Sequence, residues 1–439
     1  MVMDLAILKG TRDYGPCEQM IRNQVISTLQ HYFGLYGYQP LETPILNYFE
    51  ILASKYAGGS EILKETYHLQ DQGGRNLGMR YDLTVPFARY IGMNAAMPLP
   101  FKRYEIGKVF RNGPIKAGRM REFTQCDVDV CGSKSMSYDA ELLVMAFQVF
   151  NQLGIQVRIE INNRKLLSGL IQMLNIPETQ VSGVILSIDK LHKIGRDGVI
   201  SEMNEKGIDG EPIGILLDLL AVSEGAEVES VLDRYREYQD RNEWIRNGLV
   251  ELEELNRYLQ AADMPKATVM LNPSLARGLE IYTGTVFEVF AVSGGITSSL
   301  AAGGRYDRII GAFLNSSSDD AYPAVGICFG LDVIYAVLAE MNRETSAGSG
   351  IQVLIIPIQT PAESFKLLIR LRQAGIPSDM APGDQKIKKS LSYANKTGIP
   401  FCLIIGEDEI ARQVYTLRDM KQGQEHKQSW QELVSFLRP

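Results

Sequence analysis

Arg111, Arg119 and Arg121 are followed within a few residues by Phe123, Gln125, Asp127 and Asp129, all inside the stretch 101–132, FKRYEIGKVFRNGPIKAGRMREFTQCDVDVCG. The pattern predicts two strands joined by a charged loop. In the second strand side chains two apart share a face, so Arg119, Arg121, Phe123, Gln125, Asp127 and Asp129 point one way. Met120, Thr124, Cys126, Val128 and Val130 point the other, and Glu122 alone interrupts that apolar side. Any half-exposed strand alternates, but here the polar side is ordered as guanidinium, aromatic ring, amide and carboxylate. From Arg121 to Asp127 it extends about 20 Å at ~3.4 Å per residue. Such a surface suits a long ligand with phosphates at one end and an ammonium or imidazole at the other. Planar guanidinium forks match phosphate oxygens, and carboxylates match the cation.

Other polar sets must be brought to this hairpin. Residues 64–74 read as a strand running into a turn, and 77–86, LGMRYDLTVP, as the strand after it. Asp82 and Thr84 then offer acceptors that an ammonium, with three donors, can use. The stretch 275–288, LARGLEIYTGTVFE, carries Arg277 and Tyr282, and 302–307, AGGRYD, carries Tyr306 beside glycines that let the backbone approach a ligand. A glycine turn between sheet elements is the ordinary alternative.

In Phe110-Arg111, the run Gly118-Arg119-Met120-Arg121-Glu122-Phe123 and Gln125-Cys126-Asp127-Val128-Asp129, the chain resembles motif 2 of the class II aminoacyl-tRNA synthetases. More closely it resembles the histidyl-tRNA synthetases, and the resemblance extends over nearly the whole chain. It implies that Asp82, Thr84 and Gln125 bind the α-ammonium of histidine, that Asp129 and Tyr282 face the imidazole, and that Tyr306 closes the pocket. It implies an ATP site of Arg111, Arg119, Arg121, Phe123 and Arg277, with Arg277 and Arg111 catalytic at the α-phosphate. ATP with Mg²⁺ would be the substrate complex, with no tightly bound metal.

Histidine and tRNA(His) would be the other substrates, and the segment 37–44 looks like motif 1, which builds the homodimer in that family. The chain departs from the pattern in several places. Glu280 and Ile281 replace Asp and Tyr of the RGLDYY signature. Asp332-Val333 stands where motif 3 has Glu-Arg, whose arginine holds the far ATP phosphate. Asn112 and Gly113 stand where relatives keep an acid that contacts the adenine amino group. The alternative is a catalytically silent paralogue, like the histidine-sensing regulatory subunit of ATP phosphoribosyltransferase, which lacks the anticodon-binding domain and the RGL signature.

With 439 residues the chain is too long for one core. Hydrophobic residues at 45% and charged residues at 22% describe an ordinary globular protein. Cysteines at 17, 126, 131, 328 and 402 are odd in number and scattered, which excludes a disulfide framework and fits a reducing cytoplasm. Cys126 and Cys131 fall on opposite faces of one strand and make no metal pair. No segment reads as a signal peptide or a membrane span. The net charge of −7 is uneven: residues 351–439 hold 12 Lys and Arg against 9 Asp and Glu, whereas 181–265 hold 9 against 18. The C-terminal part is therefore the better placed to meet phosphates.

The fold class expected is α/β. A catalytic α+β domain (1–163 and 266–341) is built on an antiparallel sheet with flanking helices and interrupted by a helical insertion (164–265). A polar linker (342–350) and an α/β anticodon-binding domain (351–439) follow. Lys386, Lys388 and Lys389 begin a helix that either meets phosphates or is a solvated lysine face.

Overall fold

A computed structural model describes residues 5–54, 61–115, 120–208, 210–223, 225–277, 281–314, 321–341, 350–383 and 385–438. The chain divides into two compact units. One holds the described residues up to Asp13 and those of Ile21–Met341; the other holds Tyr14–Met20 and the described residues from Gly350 onward. The expected linker, 342–350, lies outside the described residues except for Gly350.

The first unit is built on an eight-stranded sheet. In spatial order its strands are Gln39–Pro40, Phe101–Phe110, Glu122–Cys131, Ala324–Gly330, Ala301–Arg305, Thr285–Ala291, Val157–Asn163 and Val269–Leu271. The sheet is mixed rather than wholly antiparallel, because the two outermost pairings are parallel. The predicted hairpin is its longest pair, in register from Phe101 opposite Cys131 to Phe110 opposite Glu122. Alternation decides the two faces. Cys126, Val128, Val130, Ile327 and Phe329 point into a core shared with Val25, Leu29 and Phe33 of the helix Pro16–Leu35 and with the helix Met136–Gln152. Phe329 makes ring contacts at 5.8 Å with both Phe33 and Phe150. Phe33 is fully buried, whereas Tyr32 beside it is only partly so.

The stretch 64–74 is not one strand: a short helix, Glu61–Glu65, precedes the strand His68–Gln70. Between Arg164 and Ala261 the described residues are mostly helical, and their buried faces join the same core as the sheet. In the acidic helix Glu243–Ala261, Leu249, Leu252, Leu255 and Leu259 are buried. Its charges face outward or pair, as Glu251 does with Lys165.

One buried ion pair ties this core together. Arg22, 3% exposed, bonds Asp332 at the start of the helix Leu331–Met341, and its Nη2 donates to Thr124 Oγ1 at 3.3 Å. Asp332 Oδ2 in turn accepts from the Thr124 amide at 3.0 Å. Removing one partner strands a buried charge. Asp332→Ala is therefore expected to lower unfolding stability by about 3 kcal/mol, with most of the loss recovered when Arg22→Leu is added. Urea midpoints of the single and double variants check this; equal losses in both would show that the pair contributes nothing beyond packing.

The second unit has a five-stranded sheet, Ser378–Met380, Val353–Pro357, Phe401–Ile405, Val414–Asp419 and Glu425–Ser429. Its first three strands are parallel and the last two antiparallel. Between the parallel strands run the helices Pro361–Gln373 and Ile387–Lys396, as the alternating pattern predicts. Lys386, Lys388 and Lys389 are all exposed.

Candidate active site

The face of the large sheet opposite the core carries the polar residues. Register places Gln125, Asp127 and Asp129 of one hairpin strand beside Gly107, Glu105 and Arg103 of the other, and beside Gly330, Cys328 and Gly326 of Ala324–Gly330. Gly326 and Gly304 leave no room for side chains of their own. A Cβ at Gly326 would fall 1.9 Å from Asp129 Oδ1, and one at Gly304 would meet Tyr282 Cδ1 at 2.9 Å. The space is taken by Asp129 at the first and by Tyr282 at the second.

Arg103, fully buried, pairs with Asp129 at 2.8 Å and lies 3.7 Å from Glu105. Its guanidinium also stands 4.4 Å from the Phe87 ring centre. Arg80 bonds Glu105 at 2.7 Å and the carbonyls of Thr43 and Lys108. The hydroxyl of Tyr306 donates to Asp129 Oδ1. Burial raises the Asp129 carboxyl above its usual range, with Arg103 and Tyr306 pulling it back. Burial first, and Asp129 second, push the Asp127 carboxyl up to about 7, against the pull of Arg103. Burial works against the charged form of Arg103, but the carboxylates around it outweigh burial and raise its pKa.

Tyr306 and its neighbour Arg305 are positioned together. Arg305 is buried and reaches Asp139 at 3.1 Å, Asp307 at 3.2 Å and the Ser133 carbonyl. Asp82 accepts from the Val85 amide at 3.0 Å, at the start of the helix Thr84–Met93 whose first residue is Thr84. It is close enough to Asp127 and Asp129 to raise both their pKa values. Gln125 donates to Cys328 Sγ at 3.1 Å. Asp82, Gln125, Asp129 and Tyr306 thus come together at one part of this sheet face.

The expected phosphate arginines lie further along the hairpin and above the neighbouring strands. Arg111 is sandwiched between Tyr81 and Phe123, 4.2 and 4.8 Å from their ring centres. Arg121 donates from Nη1 to the Lys9 carbonyl at 3.3 Å. Arg277 adopts φ +46°, a region sparsely used by non-glycine residues, and stands 3.8 Å from Glu288 and 5.1 Å from the Tyr282 ring centre. Arg119 falls outside the described residues, as do Gly278, Leu279 and Glu280.

Several site residues are absent from the sequence expectation. Arg80, Arg103, Glu105 and Cys328 are among them, although Arg103 and Glu105 share a face at spacing two in the first strand, which was the available signal. Glu65 had no such signal. Its carbonyl accepts the Asn112 amide at 2.7 Å, its Oε2 accepts the Tyr81 hydroxyl at 3.1 Å, and a Cβ at Gly113 would lie 2.6 Å from its Oε1. The carboxylate of Glu65 therefore fills the space beside the position where Gly113 has no side chain.

The family model described as histidyl-tRNA synthetase matches residues 10–334, and that of the anticodon binding domain matches 352–439. Histidine--tRNA ligase 1 of Bacillus anthracis is 46% identical over 436 residues, covering 99% of this chain and all of that one. Histidine--tRNA ligase 1 of Bacillus cereus is 47% identical over 426 residues, covering 97% and 95%. The crystal structure of histidyl-tRNA synthetase from a Nostoc species has a TM-score of 0.88 at 30% identity, with 99% of each chain covered. Family model, full-length relatives and fold agree: the chain belongs to the histidyl-tRNA synthetase family.

Proposed function

We propose that the protein joins L-histidine to tRNA(His) at the expense of ATP. The carboxylate of histidine attacks the α-phosphorus of ATP in line, forming histidyl-adenylate and expelling pyrophosphate. A terminal ribose hydroxyl of the tRNA then attacks the activated carbonyl and releases AMP. Such chemistry asks for positioning and cationic stabilisation more than for acid–base groups. The observation that carries this reading is the single sheet face with carboxylates and amide around Asp129 and guanidiniums at Arg111, Arg121 and Arg277. Asp82, Thr84 and Gln125 would take the ammonium, Asp129, Tyr282 and Tyr306 the imidazole, and Arg119 would join the other arginines and Phe123 on ATP, with its Mg²⁺ arriving on the phosphates. Residues 164–265 would form the insertion and 351–439 the anticodon reader, in a cytoplasmic homodimer. Full-length similarity to ligases, including the C-terminal domain, favours this over the silent regulatory paralogue. Pyrophosphate exchange tested with each of the twenty amino acids should respond to histidine alone; exchange with another amino acid, or with none, would overturn the reading.

Glu65 answers the departure at Gly113. Its carboxylate is proposed to accept the adenine amino group in place of a motif 2 acid. Glu65→Ala should raise the KM for ATP tenfold or more, about 1.5 kcal/mol or above for a hydrogen bond to a charged group, and leave the histidine KM alone. The wild type should also prefer ATP over purine riboside triphosphate, which lacks the amino group, and the variant should not. A preference retained in Glu65→Ala would remove Glu65 from the base site.

A further inference from the structure

The buried polar cluster on the sheet face does not balance. Arg80, Arg103, Glu105, Asp127 and Asp129 are each at most 4% exposed, giving two guanidiniums against three carboxylates. Arg80 is paired with Glu105, and Arg103 with Asp129. Asp127 is left over. Its surroundings are Glu105 across the hairpin, Asp129 on its own strand, Cys328 across the other strand edge, and Asp82, Arg103 and Tyr282 nearby. Among these Cys328 donates a weak S–H bond, while Asp127 Oδ1 has no hydrogen-bond partner among the described residues. Gln125 Oε1, two residues before it on the same face, is likewise buried and without a hydrogen-bond partner. Two adjacent buried acceptors and one surplus negative charge define a site for a cation with several N–H donors.

We infer that Asp127 is a binding residue for the α-ammonium of histidine, its carboxylate supplying the counter-charge and Gln125 Oε1 a neighbouring acceptor. This rests on the proposed function and adds a residue to it. The ammonium suits better than the ring, because it is a full cation throughout pH 6–8, whereas an imidazole is largely neutral over most of that range. In the free protein the Asp127 carboxyl, pushed up to about 7, is partly protonated near neutrality. Arrival of a cation favours the ionised form, so ligand binding expels a proton. Affinity therefore rises with pH until Asp127 is ionised without help.

Calorimetric titration of the full chain with histidine tests this. The ratio of dissociation constants, Asp127→Asn over wild type, should be small at pH 6, where the wild-type carboxyl is itself neutral, and about tenfold larger at pH 8. Titration of the ligand's own ring cancels in that ratio. A test that needs no variant compares histidine with 3-(imidazol-4-yl)propionate, which keeps the ring and lacks the ammonium. At pH 7, in buffers of different ionisation heat and after subtracting the protons that each ligand's own ring gives up, the propionate's ring being the more basic, histidine should release roughly half a proton more from the wild type. A flat ratio from pH 6 to 8, or equal proton release by the two ligands after that subtraction, would overturn the assignment while leaving histidine binding, and so the proposed function, standing. Wild-type protein that binds no histidine would overturn both.

Discussion

Arg277→Ala is expected to abolish histidine-dependent pyrophosphate exchange, a loss of about 10²–10³-fold or more, the scale on which one preorganised electrostatic donor acts on a transition state. The geometry explains why this arginine stands apart. Its backbone holds φ +46°, a conformation costing about 1–3 kcal/mol that persists only where the surroundings impose it. Its Nη1 is buried without a hydrogen-bond partner among the described residues, and its contact with Glu288 is long at 3.8 Å. Burial raises the pKa of Glu288, with Arg277 drawing it down, so the cation is loosely held over the sheet by a reluctant carboxylate. A phosphate arriving there would compete for it readily. Val333→Arg should by contrast leave exchange within an order of magnitude. A missing contact to a terminal phosphate weakens ATP binding by about 1.5–3 kcal/mol without touching the α-phosphorus, and Val333 packs against the hydrophobic core. Exchange surviving in Arg277→Ala would remove this residue from the reacting phosphorus, whereas no exchange in folded wild-type protein would favour the silent paralogue.

Asp129→Ala should raise the KM for histidine about a hundredfold and change the KM for ATP little. The carboxylate is shared by the Tyr306 hydroxyl and Arg103. A carboxylate has about four lone-pair sites, so two partners leave room for a ring N–H. Losing it would leave that N–H unpaired and the fully buried Arg103 without its nearest counter-charge, so folding stability should fall by about 3–5 kcal/mol as well. Tyr306→Phe separates the two effects, since it removes one bond to Asp129 but keeps the ion pair. Its histidine KM should rise less, with near wild-type stability. An unchanged histidine KM in folded Asp129→Ala would place Asp129 outside the pocket.

Much of this was legible in the sequence because it depends on short-range periodicity. Alternation at spacing two assigned Gln125, Asp127 and Asp129 to one face and Cys126, Val128 and Val130 to the other, and the structure keeps that division. The alternating strands and helices after residue 350 were readable for the same reason: each element carries its own pattern. The sheet's mixed character was not, since it arises from the short edge strands Gln39–Pro40 and Val269–Leu271, which hold too few residues to show direction. Likewise the helix Glu61–Glu65 was missed, and its last two residues fall in the stretch 64–74 that reads as strand.

What the sequence determined by itself was the inventory: which side chains could meet phosphate, ammonium or imidazole, and on which side of a strand each would stand. Partners were decided by tertiary structure alone. Arg22 meets Asp332 across 310 positions, Asp129 meets Tyr306 across 177, and Glu65 comes to rest against Gly113. Spacing along the chain constrains only neighbours within an element, whereas pairing across strands and between loops is set by how the whole sheet closes over one core. That closure matches Arg80 to Glu105 and Arg103 to Asp129, and it leaves Asp127, chemically indistinguishable from Asp129 in the sequence, as the carboxylate with no ion pair of its own among the described residues.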